Sequence, residues 1–253
     1  MQYFFELLLS GITRGSIYAL IALGYTMVYG IVGLINFAHG EIYMLGAFTG
    51  LIIAGVLTTL GFNLFAILVI SLAGAMLYSA AYGYTIEKVA YKPLRHAPRL
   101  SPLISAIGMS IFLQNYVLLA QTADFQAYPD LIPSFSFMEP FEQVFRSTEL
   151  VIVTTTSLFM LLLFAGIKYS KIGKAMRAIS QDKQMALLLG VNIDKVISFT
   201  FVIGSALAAV GGVLISIHNG QINYYIGFIV GIKAFTAAVL GGIGSIPEPR
   251  WAD

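Results

Sequence analysis

The chain alternates between long apolar segments and short polar ones. Seven apolar segments carry few charged residues, and they occupy positions 7–33, 37–60, 62–85, 101–120, 148–167, 196–217 and 226–246. A helix needs about 20 mainly apolar residues to cross the hydrocarbon layer of a bilayer. The pattern therefore predicts an all-α, polytopic bundle with about seven membrane-spanning helices.

The composition agrees with an integral membrane protein. Of the 253 residues, 58% are hydrophobic and only 10% are charged, and the mean hydropathy is +0.86. So few charges cannot cover the surface of a soluble globule. The start of the chain, MQYFFELLLSGIT, lacks the basic residues and the small-residue cleavage site of a signal peptide, so we expect it to be retained.

The basic residues are concentrated in two polar segments and predict the orientation. Ten of the 14 Lys and Arg residues lie there: Lys88, Lys92, Arg95 and Arg99, then Lys168, Lys171, Lys174, Arg177, Lys183 and Lys195. Loops rich in Lys and Arg face the cytoplasm, and two predicted helices separate these segments, which returns the chain to the same side. The acidic loop at 121–149 and the N-terminus are then outside, and the corner at 36–41 is inside.

The second basic segment, residues 168–195, reads KYSKIGKAMRAISQDKQMALLLGVNIDK. Its periodic Ala, Met and Leu residues predict an amphipathic helix rather than a slack linker. Such a helix at the cytoplasmic face is a docking candidate for a partner. The alternative is an ordinary solvated, charged loop.

Several kinds of chemistry find no support in the sequence. The chain has no cysteine, which excludes disulfides and thiolate metal sites, and no two histidines have the spacing of metal ligands. It also lacks a glycine-rich loop ending in GK[ST], so we do not expect it to bind or hydrolyse ATP itself. We expect no cofactor in this chain, and any energy source lies elsewhere.

Four polar residues within the apolar segments are candidates for function, because polar groups in lipid are costly. Arg14 lies well inside the first helix if that helix starts near Phe4, or at its boundary if the span begins at Gly15. The boundary is favoured, because the side chain then reaches the headgroups. Lys233 either faces the bundle interior or extends outward. Gln114 and Asn115 either bond between helices or face a polar pathway.

The corner Asn36-Phe37-Ala38-His39-Gly40-Glu41 groups an amide, an imidazole and a carboxylate. Acid–base catalysis would need a nucleophile or a metal beside this corner, and the spacing supplies neither. A role in structure or gating is favoured. We expect Asn36 and His39 to cap helix ends, and Glu41 to lie in the first helical turn, where a carboxylate complements the helix dipole.

Five segments together resemble a known family. They are GSIYALIALGYTMVYGIVGLINFAHGEIYMLGAF (15–48), AYGYTIEKVAYKPLR (81–95), SAIGMSIFLQNY (105–116), GKAMRAISQDKQMALLLGVNIDKVISFTFVIGSALAAVGGVL (173–214) and YIGFIVGIKAFTAAVLGGIGSIP (225–247). The family is that of the LivH-type inner-membrane permease subunits of branched-chain amino acid ABC importers. The motifs are long and occur in matching order over most of residues 15–247, which makes the resemblance specific.

The resemblance implies a set of partners and a transport cycle. It implies a second homologous permease subunit, two cytoplasmic ATPase subunits that bind ATP-Mg, and a periplasmic protein that delivers leucine, isoleucine or valine. It makes residues 168–195 the coupling segment, with matching positions at Gly173, Ala175, Arg177, Ala178, Asp182, Ala186 and Gly190. Binding of ATP by the partners would move this segment, and the bundle would alternate between outward and inward openings.

The end of the chain departs from the family pattern. Residues 1–247 are predicted to form a permease domain. The apolar pattern ends at the tail Glu248-Pro249-Arg250-Trp251-Ala252-Asp253. From this departure we expect that further C-terminal helices of the family pattern are missing. We expect the chain to contact membrane lipid and no nucleic acid.

Other functions remain open. A related ABC permease for urea or short amides shares a similar corner. A stand-alone secondary carrier or channel would use carboxylates within the membrane, and only Glu41 and Glu87 lie near the predicted spans, both toward the cytoplasmic edge. A membrane enzyme is the weakest of these readings, because no site for it is evident.

Overall fold

The computed structural model describes residues 2–95, 97–98, 100–133 and 146–242. Within these ranges the α-helices are α1 (Gln2–Val32), α2 (His39–Thr59), α3 (Leu64–Ile86), α4 (Leu100–Ala120), α5 (Ser147–Tyr169), α6 (Lys171–Gln181), α7 (Lys183–Leu188), α8 (Ile193–Asn219) and α9 (Ile226–Leu240). Two short strands, β1 (Gln126–Ala127) and β2 (Gln221–Ile222), pair in antiparallel orientation. The predicted all-α, polytopic bundle is confirmed. Arg99, Glu139, Glu142 and the tail at 248–253 lie outside the described residues.

Six helices in the described ranges are long and apolar enough to cross a membrane: α1, α2, α3, α4, α5 and α8. The helix α3 extends through a π-helical turn (Glu87–Tyr91) and a 3-10 turn (Lys92–Leu94). The seventh predicted span corresponds to α9, which has 15 residues; positions 243–246 of that prediction lie outside the described ranges.

Local sequence accounts for several helix ends. Asn63, Ser170 and Asn192 occupy N-cap positions, and the side chain of each accepts a hydrogen bond from a backbone N–H of the first turn. Such caps satisfy donors that have no partner within the helix. Gly33 and Gly220 follow the ends of α1 and α8 with φ of 76° and 69°, a left-handed conformation that glycine adopts at little cost.

The helix α8 forms the centre of the bundle, where it packs against α1, α2 and α3. In its most apolar part 83% of the residues are buried, compared with 11% in α5. Small residues allow close contact here: a Cβ atom on Gly46 would lie 2.5 Å from the Cα of Ala209. Because lipid supplies little hydrophobic drive between helices, such close backbone approach is what holds membrane helices together.

The two ends of the bundle agree with the predicted orientation. At one end the described parts of both basic segments meet: Lys92 pairs with Asp194 at 2.8 Å, and the ammonium of Lys183 donates to the carbonyl of Val32 at 2.9 Å. At the other end β1, which belongs to the acidic loop, pairs with β2. The positive-inside rule assigns the first end to the cytoplasm.

The sequence predicted the corner at 36–41 at the cytoplasmic edge, but the structure places it deeper in the bundle. After α1 ends, the chain turns back into the bundle, and the ring of His39 lies against Gly24, where an added Cβ would be 2.5 Å from Nε2. Gly24 is eight residues before the end of α1, about 12 Å along the helix. The prediction that Asn36 and His39 cap helices is also wrong, because the N-cap of α2 is Ala38 and no side chain caps it.

Candidate functional site

The basic segment forms two helices rather than one. The chain is extended at Asp182, with φ of −150° and ψ of 110°, which separates α6 from α7. The Asp182 carboxylate accepts hydrogen bonds from the backbone N–H groups of Gln184 at 2.8 Å and Met185 at 3.0 Å. An aspartate that caps a helix in this way starts a new helix rather than continuing the old one, which corrects the single-helix prediction.

The helix α6 is amphipathic, as predicted, and rests on the end of α5. Its buried residues are Gly173, Met176 and Ile179. A Cβ on Gly173 would overlap the carbonyl oxygen of Ile167, and the guanidinium of Arg177 donates a hydrogen bond to the same carbonyl. These contacts fix the angle between α5 and α6.

The proposed coupling residues lie in three environments. Gly173 and Ala186 are buried within the chain, whereas Asp182 and Gly190 are exposed; Ala175, Arg177 and Ala178 are half-buried. The buried members are not available to a partner, so any part they play in coupling is to position α6 and α7. Gly190 has φ of 80° and allows the turn after α7.

An exposed apolar cluster at this end was not predicted from the sequence. Met185, Leu187, Leu188 and Leu189, here called the α7 tip, expose 54%, 61%, 80% and 74% of their surface. Ala186 of α7 is buried against the protein, whereas Met185, Leu187 and Leu188 of this helix and Leu189 at its C-cap are exposed. An apolar cluster on a polar, basic face typically marks a protein-binding site. The signal was the run ALLL within a basic segment, but its exposed side could not be read from the pattern.

A network of ion pairs connects the π-helical turn after α3 with the start of α8. Glu87 is fully buried in the π-helical turn; it pairs with Arg95 and accepts a hydrogen bond from Ser198 at 2.8 Å. Arg95 also pairs with Asp194 at the start of α8. A cavity of about 1080 Å³ is lined by Arg95, Asp194 and Lys183. Burial and the charge of Arg95 lower the pKa of Lys183.

A second candidate site lies inside the bundle, around Glu41. Glu41 occupies the first turn of α2, as predicted, and exposes 1% of its surface. Its Oε1 accepts a hydrogen bond from the Ser110 hydroxyl of α4 at 3.0 Å. Its Oε2 has no partner among the described residues and lies beside Gly227, where an added Cβ would be 2.5 Å away.

The other two polar residues of the corner, His39 and Asn36, are also buried. The ring of His39 contacts Tyr25 edge to face, with 4.6 Å between centroids. The Oδ1 of Asn36 accepts hydrogen bonds from the Ala38 N–H at 3.1 Å and from the Tyr91 hydroxyl at 3.0 Å. These bonds hold the turn between α1 and α2 against the π-helical turn, so Asn36 fixes the entry of the chain into the bundle.

A groove of about 190 Å³ opens beside Glu41, between α1, α4 and α9. Its walls are formed by Tyr25, Phe37, Ile107, Ser110, Ile111, Gln114, Tyr225, Gly227, Phe228, Gly231, Ile232 and Phe235. Gln114 contributes an amide whose Nε2 is buried without a partner in the described ranges. Asn115 is exposed, and its amide bonds the Ile111 carbonyl of its own helix at 2.8 Å. The structure therefore gives Gln114 and Asn115 different environments, a difference that the sequence did not predict.

The two intramembrane basic residues lie near the outer end. Arg14 is exposed there, and its Nε donates a hydrogen bond to the Nε2 of His218 at 3.3 Å. The predicted helix-boundary position is wrong, because α1 begins at Gln2 and Arg14 lies 12 residues after that start. Lys233 is exposed rather than inside the bundle, and with Arg14 it lines a cavity of about 440 Å³. In the described ranges, no group of three or more His, Asp or Glu residues is arranged to hold a metal ion.

Comparison with known proteins gives a consistent result. The family model described as "Branched-chain amino acid transport system / permease component" matches residues 7–250. The high-affinity branched-chain amino acid transport system permease protein LivH of Escherichia coli K12 is 52% identical over 249 residues, which are 97% of this chain and 81% of that protein. BraD of Pseudomonas aeruginosa, of the same description, is 50% identical over 98% of this chain and 82% of its own length.

More distant similarity reaches a permease named for another substrate. The fructose import permease protein FrcC of Rhizobium meliloti is 26% identical over 149 residues, covering 57% of this chain and 41% of that protein. No solved structure matches the chain.

Proposed function

The chain belongs to the permease family of branched-chain amino acid transport systems, and we propose that it forms part of the translocation pathway of an ATP-driven importer for leucine, isoleucine and valine. It is a multi-pass protein of the bacterial inner membrane and a transport component rather than an enzyme. The proposed partners are a second permease subunit, two ATPase subunits that bind ATP-Mg, and a periplasmic substrate-binding protein.

The observation that carries the proposed coupling is the α7 tip. Four apolar side chains are exposed on the cytoplasmic end, and Lys171 and Lys174 of the preceding helix α6 are exposed as well. An apolar anchor with a charged rim is the arrangement expected of a docked protein interface. An ATPase subunit that receives the tip in a cleft would bury it, which accounts for its exposure in the isolated chain.

A path for movement leads from the tip into the bundle. α6 is joined to the end of α5 through Arg177, and α7 to the end of α1 through Lys183. The Glu87–Arg95–Asp194 network joins the ends of α3 and α8 at the same level. Displacement of the tip by closure of the ATPases would therefore act on α1, α3, α5 and α8 together, and would alternate the openings of the bundle.

A secondary carrier is the alternative that one observation favours. Glu41 is a buried carboxylate with one oxygen that lacks a partner among the described residues, and carriers use such groups as ion sites. Glu87, in contrast, is paired with Arg95 and is accounted for structurally. The two functions differ in their energy source, which an uptake measurement separates.

The test is reconstitution of the chain with its proposed partners in vesicles. Leucine, presented on the binding protein, should enter only when the ATPases have ATP-Mg. The combined change Leu188→Ser and Leu189→Ser should abolish both uptake and stimulated ATP hydrolysis, whereas Gln184→Ser, an exposed polar position of the same helix, should leave them unchanged. Uptake that follows an ion gradient and ignores ATP would establish the carrier instead.

A further inference from the structure

The groove between α1, α4 and α9 lies near the middle of the membrane. His39, two residues before Glu41, faces Gly204 of α8, where an added Cβ would be 3.6 Å from the imidazole Cε1. Gly204 lies about 17 Å from the start of α8 and about 23 Å from its end, by helical rise. The carboxylate of Glu41 is thus held far from both surfaces. Ionisable groups at this depth are costly and mark ligand or ion pathways.

One wall of the groove offers polar groups of complementary kinds. Behind it, Glu41 has an acceptor oxygen without a partner among the described residues, and the lining residue Gln114 has a buried amide nitrogen that likewise has none. The groove wall between Glu41 and open space is thin, because it consists of Ser110 and of Gly227, which has no side chain. A buried polar atom without a partner is destabilising, so a bound molecule with one cationic and one anionic group would relieve both.

The remaining walls are apolar and aromatic. Phe37 and Phe235 form one side, with 5.7 Å between ring centroids, and Ile111 and Ile232 form the mouth, where they expose 55% and 49% of their surface. The volume of about 190 Å³ equals the share of about six water molecules in the liquid. It suits a small aliphatic group.

We propose that this groove is a subsite for the transported amino acid, in which Glu41 faces the ammonium group, Gln114 faces the carboxylate and the aromatic wall encloses the branched side chain. The proposal rests on the proposed function and names the place in the chain where its substrate is held. A lipid acyl chain would fill the apolar part but would leave Glu41 and Gln114 unpartnered. The exposed mouth lies on a face that a second permease would cover to complete a pathway.

The absence of cysteine in this chain allows a direct binding test. Ile107→Cys and Ile111→Cys place a thiol in the groove, and Phe112→Cys places one on an exposed position of α4 outside it. In the assembled complex, the rate of modification by a small methanethiosulfonate is followed by mass spectrometry of this chain. Leucine should slow the modification at the two groove positions several-fold, should leave Phe112→Cys unchanged, and glutamate should have no effect.

A second measurement uses the contrast between neighbouring amides. Gln114→Ala should lower leucine uptake by about tenfold, since a hydrogen bond to a charged group is lost, whereas Asn115→Ala should transport as the original chain does. Restoration of uptake by Gln114→Asn, but not by Gln114→Leu, would support recognition by the amide rather than packing alone.

The outcomes separate this proposal from the proposed function. If the original complex transports leucine but leucine protects neither groove cysteine and Gln114→Ala is fully active, the subsite is wrong and the importer stands. Protection by glutamate as strong as by leucine overturns the assignment to an apolar amino acid. If the original complex transports no branched-chain amino acid, the proposed function itself fails.

Discussion

Gly40 is the position at which a single methyl group should separate two helices. A Cβ atom there would overlap the carbonyl oxygen of Gly227 and would lie 2.9 Å from the Cα of Gly231. Both obstacles belong to the backbone of α9, which cannot rotate away as a side chain can. The sequence Gly227-Phe-Ile-Val-Gly231 is a small-xxx-small pattern, the usual device for close helix contact in membranes.

The magnitude follows from the cost of overpacking. Inserting a methyl group into a packed interface destabilises by about 1–3 kcal/mol. Gly55, in the same helix, has no atom within 4 Å of an added Cβ, so Gly55→Ala should be neutral or stabilising by up to about 1 kcal/mol. The two substitutions have the same chemistry in one helix, and the difference between them isolates the contact with α9.

Thermal unfolding of the assembled protein in mild detergent measures this difference. Gly40→Ala should lower the unfolding midpoint by roughly 2–12 °C, and Gly55→Ala should not lower it. Because a displaced α9 also widens the groove beside Glu41, leucine uptake by Gly40→Ala should fall even below its unfolding temperature. Equal midpoints for the two variants would refute the close packing of α2 on α9.

Two further predictions concern the cytoplasmic end. Arg95→Ala should destabilise the protein by about 3 kcal/mol, the lower end of the cost of breaking a buried ion pair, because the buried carboxylate of Glu87 keeps only the longer contact with Lys88 at 3.7 Å. Adding Glu87→Gln should recover part of the loss, and a double variant less stable than Arg95→Ala alone would contradict this. Asp182→Ala should lose about 1 kcal/mol of helix-capping energy and weaken the stimulation of the ATPase. Asp182→Asn should keep both the stability and the stimulation, because asparagine caps a helix as well as aspartate does. A defect in the asparagine variant would instead assign the role to the negative charge.

The long spans were predictable because their signals are local. The predicted segments 101–120 and 148–167 correspond to Leu100–Ala120 and Ser147–Tyr169. The hydrophobic length of a span and the charges at its ends are properties of adjacent residues, and the positive-inside rule adds the relative orientation. The last predicted segment fits least well in the described ranges, because it corresponds to the 15-residue helix α9.

The re-entry of the corner was not predictable in the same way. The apolar pattern from 37 to 60 reads as an ordinary span that starts at a surface. What carries the chain into the bundle is contact between residues distant in sequence: Gly24 with His39, and Gly40 with Gly227. A single sequence gives no sign of which glycines meet, so the position of Glu41 inside the bundle emerged only from the fold.

In the coupling segment, residues 168–195, the sequence contained the signal for a helix break, but the prediction treated the segment as one helix. The periodicity of 168–195 indicated an amphipathic helix, and α6 has the buried face that this requires. Asp182 is a good N-cap residue and marks the break before α7. The exposure of Leu188 and Leu189, however, runs against the usual burial of leucine, and local pattern predicts burial wherever leucines cluster.

The most direct measurement of the central claim is the recovery of partners from native membranes. The tagged chain is purified in mild detergent, and the bound proteins are identified by mass spectrometry. The original chain and Gln184→Ser should retain an ATPase subunit and a second permease, whereas Leu188→Ser with Leu189→Ser should lose the ATPase and keep the permease. A folded original chain that retains no ATPase, or an α7 tip variant that retains it fully, would contradict coupling through the α7 tip.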